Sequence, residues 1–365
     1  MSVIIPTYNE SENIPVLLKR LSSLNMGSTG SLEVLFIDDN SPDLTWEAAI
    51  RHCVNTDLNV IVVRRFGRRG LSSAIIDGFM FAKGEYLTVM DADLQHPPEY
   101  IPRLLSAALK GHELVIASRY VAGGGTEGWS LLRTLISRGA TLLARIMLLE
   151  ARSVRDPMSG FFLVKRTLLS RCSKLNPLGF KILLEILVKC SPASVAEVPY
   201  IFRQRLKGRS KLGLKTIFEY VVHVLKLSGW RPFKFATVGA LGYVVNVLAT
   251  TISTILTPHF YLRNLVGIET STLFNFTLHE LWTFKDRRGG SVLKRLVAFH
   301  GAVVPAITTQ YIIAQALYYL AGAPEAVSIL LGVIVGFIVN YLILSLIHIS
   351  EPTRPLYISY AVFCL

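Results

Sequence analysis

The residues best equipped for chemistry are Asp91, Asp93 and Gln95, delivered at the end of the apolar run 86–90. In an extended segment side chains two apart share a side, so two carboxylates and an amide oxygen can converge on one point. Hard oxygen ligands of this kind suit Mg²⁺ or Mn²⁺ and not zinc. A divalent ion held there would offset the charge of a nucleotide diphosphate as it leaves. The same acids could instead cap a helix opened by Pro97 and Pro98, but their place at the end of a fourth strand favours the metal. Asp38 and Asp39 also close an apolar run, and Asn40, Ser41 and Pro42 behind them make an ordinary turn a competitor to base or ribose contact.

A second group is basic: Arg119, Arg133, Ser137, Arg205, Ser210 and Lys211. Arginine grips phosphate oxygens with two parallel N–H donors, and hydroxyls add further donors. Any one of these arginines reads equally as solvated surface charge; together they suggest a phosphate pocket. Residues 130–147 read as a helix on which Arg133 and Ser137, four apart, share a face.

The elements that must position these groups alternate. Short β-branched runs at 3–5, 34–37, 60–63, 86–90 and 114–117 are separated by helical segments near 11–24, 44–54, 71–82 and 98–110. Alternation predicts an α/β fold of parallel strands with helices on both faces, and ligands beyond the carboxyl ends of the strands. Thr7, Tyr8, Asn9 and Glu10, then Asp38 and Asp39, Asp91 and Asp93, and Ser118 and Arg119 stand at those ends. Gly123, Gly124 and Gly125 fall in a late loop without dinucleotide-binding spacing, which removes most support for an oxidoreductase.

The chain of 365 residues divides by composition. Residues 1–211 hold most of the charge and read as a cytosolic domain, with no leader sequence ahead of the first strand. Residues 212–230 read as an amphipathic helix in the membrane interface, with Lys215, Glu219, His223 and Lys226 on its polar face. Residues 231–346 contain four apolar stretches, near 233–256, 264–284, 296–320 and 326–346, each about long enough to cross a bilayer. Lys285, Arg287, Arg288, Lys294 and Arg295 against Asp286 place the middle linker on the cytosolic side with the first domain. The polar residues of the second span, Glu269, Asn275, His279 and Glu280, should face the bundle interior. Gly239-Ala240 with Gly301-Ala302, and Asn275 with Asn340, suggest that the two hairpins are copies of one another. Residues 347–365 fit nothing before them and read as a non-native tail. A net charge of +13, concentrated late in the first domain and beside the spans, suits anionic lipid and phosphate better than nucleic acid. Cys53, Cys172, Cys190 and Cys364 lie far apart and read as isolated thiols, neither a zinc site nor a disulfide framework.

The first 213 residues resemble the dolichyl-phosphate mannose synthases, within the inverting A-type glycosyltransferases. The resemblance is carried by IIPTYNESENI from Ile4, DDNSPD from Asp38, GLSSA from Gly70, MDADLQHPPE from Met90 and SRY from Ser118. DPMSGFF from Asp156, GFKILLEIL from Gly179, VPYIF from Val198 and KGRSKLG ending at Gly213 extend it. The membrane half is similar to the four-helix domain fused to such enzymes, best at FNFTLHELWTF from Phe274. The resemblance implies an A-type glycosyltransferase with a mostly parallel, Rossmann-like sheet, followed by an all-α transmembrane domain of four helices. It implies that Pro6, Tyr8, Glu10 and Asp39 hold the nucleotide, that Asp91, Asp93 and Gln95 handle metal and diphosphate, and that Arg205 and Lys211 assist on the donor side. Arg119, Arg133 and Ser137 would gather the acceptor phosphate, with Asp93, Arg119 and Arg133 carrying the catalytic step. Arg209 departs from the family, several members of which carry an acid before Ser-Lys.

The implied reaction is transfer of mannose from GDP-mannose to dolichyl or polyprenyl phosphate with inversion, aided by Mg²⁺ or Mn²⁺, at the cytosolic face of a bilayer. It needs neither nucleic acid nor an obligatory protein subunit. A fused single chain points to the plasma membrane of an archaeon or bacterium, with the endoplasmic reticulum as the alternative. A phosphate monoester, with its second pKa about 6, is already ionised near neutrality, so the acceptor needs orienting cations more than a general base. UDP-glucose or UDP-N-acetylglucosamine as donor, and a lipid-linked sugar translocator or membrane binding partner, remain competing expectations.

Overall fold

The computed structural model describes residues 1–26, 32–67, 69–177, 181–204, 213–283 and 291–336. Arg205, Ser210, Lys211, Asn340 and Cys364 lie outside them. The chain forms two compact units, Met1–Leu227 and Ser228–Leu365.

The first unit is built on a seven-stranded sheet. Its strands are β1 (Ser2–Thr7), β2 (Glu33–Asp38), β3 (Asn59–Arg64), β4 (Tyr86–Val89), β5 (Leu114–Ser118), β7 (Phe162–Lys165) and β8 (Val195–Pro199), in the order β3-β2-β1-β4-β7-β5-β8. All neighbours are parallel except β7, which runs antiparallel to both β4 and β5. The five strands expected from the sequence are present, and β7 is an addition that lies between β4 and β5. A second, two-stranded ribbon pairs β6 (Gly125–Thr126) with β9 (Ile201–Phe202).

β1, β2 and β5 are buried along their whole lengths, as strands covered on both faces must be. Val3, Ile5, Val34, Phe36, Val115 and Ala117 pack on one side with α1 (Ile14–Ser22) and α4 (Ile101–Leu109). Ile4, Leu35, Ile37, Leu114 and Ile116, one residue out of step, pack on the other with α3 (Leu71–Phe81) and α7 (Ile182–Cys190). α3 lies so close to β1 that a Cβ at Gly78 would come within 2.4 Å of Ile4 Cγ2. The remaining helices of this unit are α2 (Thr45–Cys53), α5 (Leu131–Met147), α6 (Arg166–Ser170) and α8 (Leu214–Leu227).

Two expectations change here. Cys172 and Cys190 are not isolated thiols: they form a disulfide, Cα–Cα 4.3 Å, joining the end of α6 to the last residue of α7. Eighteen residues separate them in sequence, and only the packing of α6 beside α7 brings them together. The polar face expected of α8 is also divided. Glu219 and Lys226 are exposed, but His223 turns inward, its Nε2 3.7 Å from the buried carboxylate of Glu185 on α7. Tyr220 and Val224 are buried against α5 and α7, and the Tyr220 hydroxyl donates to Ala140 O at 2.6 Å. Phe218, on the opposite side, is 69% exposed.

The second unit is helical: α9 (Arg231–Ile252), α10 (Phe260–Leu278, continued as a π-turn over His279–Thr283), α11 (Val292–Ala321) and α12 (Glu325–Gly336). Two segments, Ala236–Ile255 and Val292–Ala321, are long and apolar enough to cross a membrane. The expected second span coincides with α10, whose Arg263, Asn264, Glu269 and Asn275 dilute its apolar character. The described part of the expected fourth span is α12, too short to cross by itself. On α10 the polar residues separate: Asn264 and His279 are buried and Asn275 packs on Gly242, whereas Glu269 faces outward and meets His300 at 3.1 Å. Glu280 pairs with Arg295 at 2.6 Å, and Arg263 with Glu325 at 2.6 Å.

Candidate active site

The carboxyl ends of β1, β2 and β4 each break into a turn containing a left-handed residue: Asn9 (φ 61°), Asn40 (φ 55°) and Leu94 (φ 61°). Asparagine tolerates this conformation; a leucine there costs about 1–2 kcal/mol and needs its surroundings to hold it. Leu94 is 2% exposed in the core under the sheet, which supplies that hold. β4 has ended by Val89, so Asp91–Gln95 is a turn and not an extended segment. Strand alternation therefore does not set where these side chains point; the left-handed Leu94 turns the chain among them.

Within this turn Asp93 is 3% exposed and its Oδ1 accepts the Gln95 amide at 3.1 Å, while the Asp91 side chain keeps 38% exposure. Gln95 is tied across to β9: its Nε2 donates to Arg203 O, and the Arg203 amide donates to Gln95 O, both at 3.1 Å. His96, 2% exposed, accepts the Asp91 amide on Nδ1 at 3.0 Å. Its proton is thereby assigned to Nε2. Burial pulls its pKa from 6.5 to about 4, against Asp93 and with the help of Arg119 and Lys181, so it is a neutral aromatic wedge against Phe161, Tyr200 and Phe202. Among the described residues no group of three or more His, Cys, Asp and Glu side chains is placed to enclose a metal. The carboxylates of Asp91 and Asp93 and the amide oxygen of Gln95 are hard donors, whose chemistry fits Mg²⁺ or Mn²⁺ completed by water and phosphate oxygens and not a closed zinc site.

The residues at the ends of β1 and β2 lie along the same edge of the sheet. Asp38 is consumed by structure, accepting Thr7 Oγ1 at 2.9 Å and the Ser41 amide and hydroxyl at 2.8 and 2.6 Å. Asp39 accepts Arg65 Nη1 at 2.5 Å and the Gly70 amide at 2.7 Å. Burial raises its pKa against these lowering contacts. Arg65 also reaches Asp77 and Ser73, so Asp39 sits in a fixed network. Tyr8 lies under the Arg69 guanidinium, 5.1 Å from ring centroid to Cζ. Glu10 accepts Asn13 Nδ2 at 2.7 Å, and Pro6 is buried within β1.

The cationic half is organised by aromatic rings. Arg119, at the end of β5, lies 5.3 Å from the Tyr120 ring, 5.4 Å from Trp129 and 5.7 Å from Phe202. Arg133, in the first turn of α5, lies 4.5 Å from Trp129 and 6.0 Å from Phe202. Ser130 caps that helix by accepting the Arg133 amide at 3.2 Å, and Ser137 shares a 2.8 Å hydrogen bond with Tyr120 Oη. The structure therefore brings Arg119, Arg133 and Ser137 together. Phe202 connects this half to the Asp91–Gln95 turn, since it also packs on His96 at 5.6 Å.

Sequence reasoning missed the partner that holds Arg119. Asp156, fully buried, accepts Arg119 Nε and Nη2 at 2.7 Å each and the Arg119 amide at 2.9 Å. Burial opposes the guanidinium charge, but the hydrogen bonds and charge of Asp156 outweigh it and raise the pKa. Lys181, His96, Trp129 and Phe202 were also missed as site residues; nothing in their spacing distinguishes them from core. The Lys181 residue keeps some surface, yet its ammonium is desolvated, which pulls it to about 8, with Arg119 adding and Asp91 and Asp156 opposing.

A glycosyl transferase family 2 model matches residues 2–172, and a GtrA/DPMS transmembrane-domain model matches residues 234–348. The chain is 42% identical over 348 residues to a dolichol-phosphate mannosyltransferase of Pyrococcus furiosus, covering 94% of this chain and 97% of that one. A dolichol-phosphate mannosyltransferase of Saccharomyces cerevisiae is 39% identical over 62% of this chain and 86% of its own, and one of Mycosarcoma maydis 38% identical over 68% and 84%. With both domains matched in order, the chain belongs to the dolichol-phosphate mannosyltransferase family.

Proposed function

We propose that the chain transfers mannose from GDP-mannose to dolichyl or polyprenyl phosphate, with inversion, to give dolichyl β-D-mannosyl phosphate and GDP. The observation that carries the reading is the place of Phe202, which packs on His96 of the Asp91–Gln95 turn on one side and under Arg119 and Arg133 on the other. A diphosphate-handling group and a phosphate-handling group are thus neighbours in one domain.

Asp91, Asp93 and Gln95 would hold Mg²⁺ or Mn²⁺, which when bound offsets charge on the departing diphosphate. Arg133 and Ser137 would receive the acceptor phosphate, with Arg119 held ready by Asp156. Arg205 and Lys211 complete the donor side in this reading, and Pro6, Tyr8, Glu10 and Asp39 border the nucleotide. The acceptor arrives ionised, so the chain's task is to align it with the anomeric carbon opposite the leaving group. No general base is assigned. The helical unit would anchor the enzyme through four spans, leaving the catalytic domain at the cytosolic surface.

Purified protein given radiolabelled GDP- and UDP-sugars with polyprenyl phosphate, with and without Mg²⁺ or Mn²⁺, tests this. Metal-dependent organic-extractable label from GDP-mannose alone supports it. Label from UDP-glucose or UDP-N-acetylglucosamine would replace the donor, and no label from any donor would reject the reading.

A further inference from the structure

The two halves of the site are joined by a short backbone segment, 155–161, as well as by Phe202. The segment begins pinned to β8, where Glu197 accepts the amides of Arg155 and Asp156 at 2.8 and 3.0 Å. Asp156 then grips Arg119. Four residues on, the chain passes directly against the Asp91–Gln95 turn: a Cβ at Gly160 would lie 3.1 Å from His96 Cε1 and 3.6 Å from Asp91 Oδ2. Midway between these points Lys181, the residue preceding α7, donates from Nζ to Met158 O at 3.0 Å. Met158 itself is buried among Leu184, Tyr220 and Val224.

This geometry asks why a cation fills that position. A carbonyl needs only a neutral donor, and bringing an ammonium into a packed site beside the Arg119 guanidinium is costly. Asp91 and Asp156 are the charges that favour it. An ammonium favoured by both carboxylates and bonded to Met158 O, midway between Asp156 and Gly160, can fix the spacing of the two halves.

We propose that Lys181 is a positioning residue for mannosyl transfer: by holding the 156–160 segment through Met158 O, it sets the acceptor-phosphate arginines in register with the Asp91–Gln95 turn. The inference rests on the transfer reading above. It separates from a merely structural role by a kcat loss that persists well below the Tm of the variant and is recovered by a second charged donor at the same position.

Full-length wild type, Lys181→Met and Lys181→Arg are compared for kcat and donor KM with GDP-mannose and polyprenyl phosphate, and for thermal unfolding. Lys181→Met is expected to lower kcat roughly tenfold or more, the loss of a hydrogen bond from a charged donor, with donor KM changed less than about twofold, when assayed well below the Tm of the variant. Lys181→Arg, which keeps a charged donor of similar reach, is expected to recover kcat to within about threefold of wild type. Wild-type kcat in Lys181→Met overturns the proposal. So does a kcat loss that vanishes when the variant is assayed well below its Tm, which would make Lys181 structural. Wild type inactive with every donor would sink the transfer reading itself, a result distinct from either.

Discussion

Arg119 and Asp156 form a buried, two-pronged ion pair, both N–H···O contacts 2.7 Å long, between residues 37 apart in sequence. A guanidinium held this way is fixed in plane and position before any phosphate arrives. Breaking the pair from the acid side leaves a buried, uncompensated charge, which costs about 3–5 kcal/mol. Asp156→Ala is therefore expected to lower the stability of the first unit by that order and to remove most transfer activity, as read by denaturant unfolding and by the lipid-label assay. Arg119→Lys keeps the charge but loses the paired donors, and should retain more stability than Asp156→Ala.

Asp93 is the buried carboxylate of the Asp91–Gln95 turn. Asp93→Ala and the isosteric Asp93→Asn are expected to reduce transfer by about a hundredfold or more, while far-UV circular dichroism stays that of wild type. Full activity in either variant would remove the metal assignment.

His96 is neutral in the fold, with its pKa pulled by burial from 6.5 to about 4. Because the folded value lies below the unfolded one, its protonation favours the unfolded chain. The stability of the first unit is therefore expected to be full above about pH 6.5 and to fall as pH drops towards 4, by about 3 kcal/mol from this residue. His96→Phe should flatten that part of the stability profile, at the cost of leaving the Asp91 amide without its acceptor.

The Cys172–Cys190 disulfide closes an 18-residue separation that includes Lys181 and most of α7. Its removal by reductant, or by Cys172→Ala with Cys190→Ala, is expected to cost about 3 kcal/mol, visible as a lower Tm of the first unit. Mass spectrometry of peptides alkylated without reductant should find the two cysteines linked.

How far the sequence alone reaches can be judged residue by residue. β1 to β5 are legible because each is an apolar, β-branched run bounded by helix and turn signals, and the polar residues at their ends mark the site edge. β7 is not: Phe162–Lys165 is four residues long, and its antiparallel insertion between β4 and β5 is a tertiary event. Asp91, Asp93 and Gln95 are recognisable by type, yet the turn that carries them depends on the left-handed Leu94, which no spacing reveals. Arg119 and Arg133 stand out in the sequence as candidates to bind phosphate, but their common stacking on Trp129 depends on how α5 leaves β5. Asp156, the cysteine pair and the inward turn of His223 each require a partner distant in sequence, where local periodicity carries no information.

In the proposed transfer, one domain uses the Asp91–Gln95 turn and the Arg119–Arg133 cluster together. The most direct test follows radiolabelled mannose from GDP-mannose into dolichyl phosphate with wild type, Asp93→Asn and Arg133→Ala, each with and without Mg²⁺ or Mn²⁺. The account predicts metal-dependent label in the lipid phase for wild type and loss of it in both variants. Label that forms equally without metal, or that survives both substitutions, would contradict it.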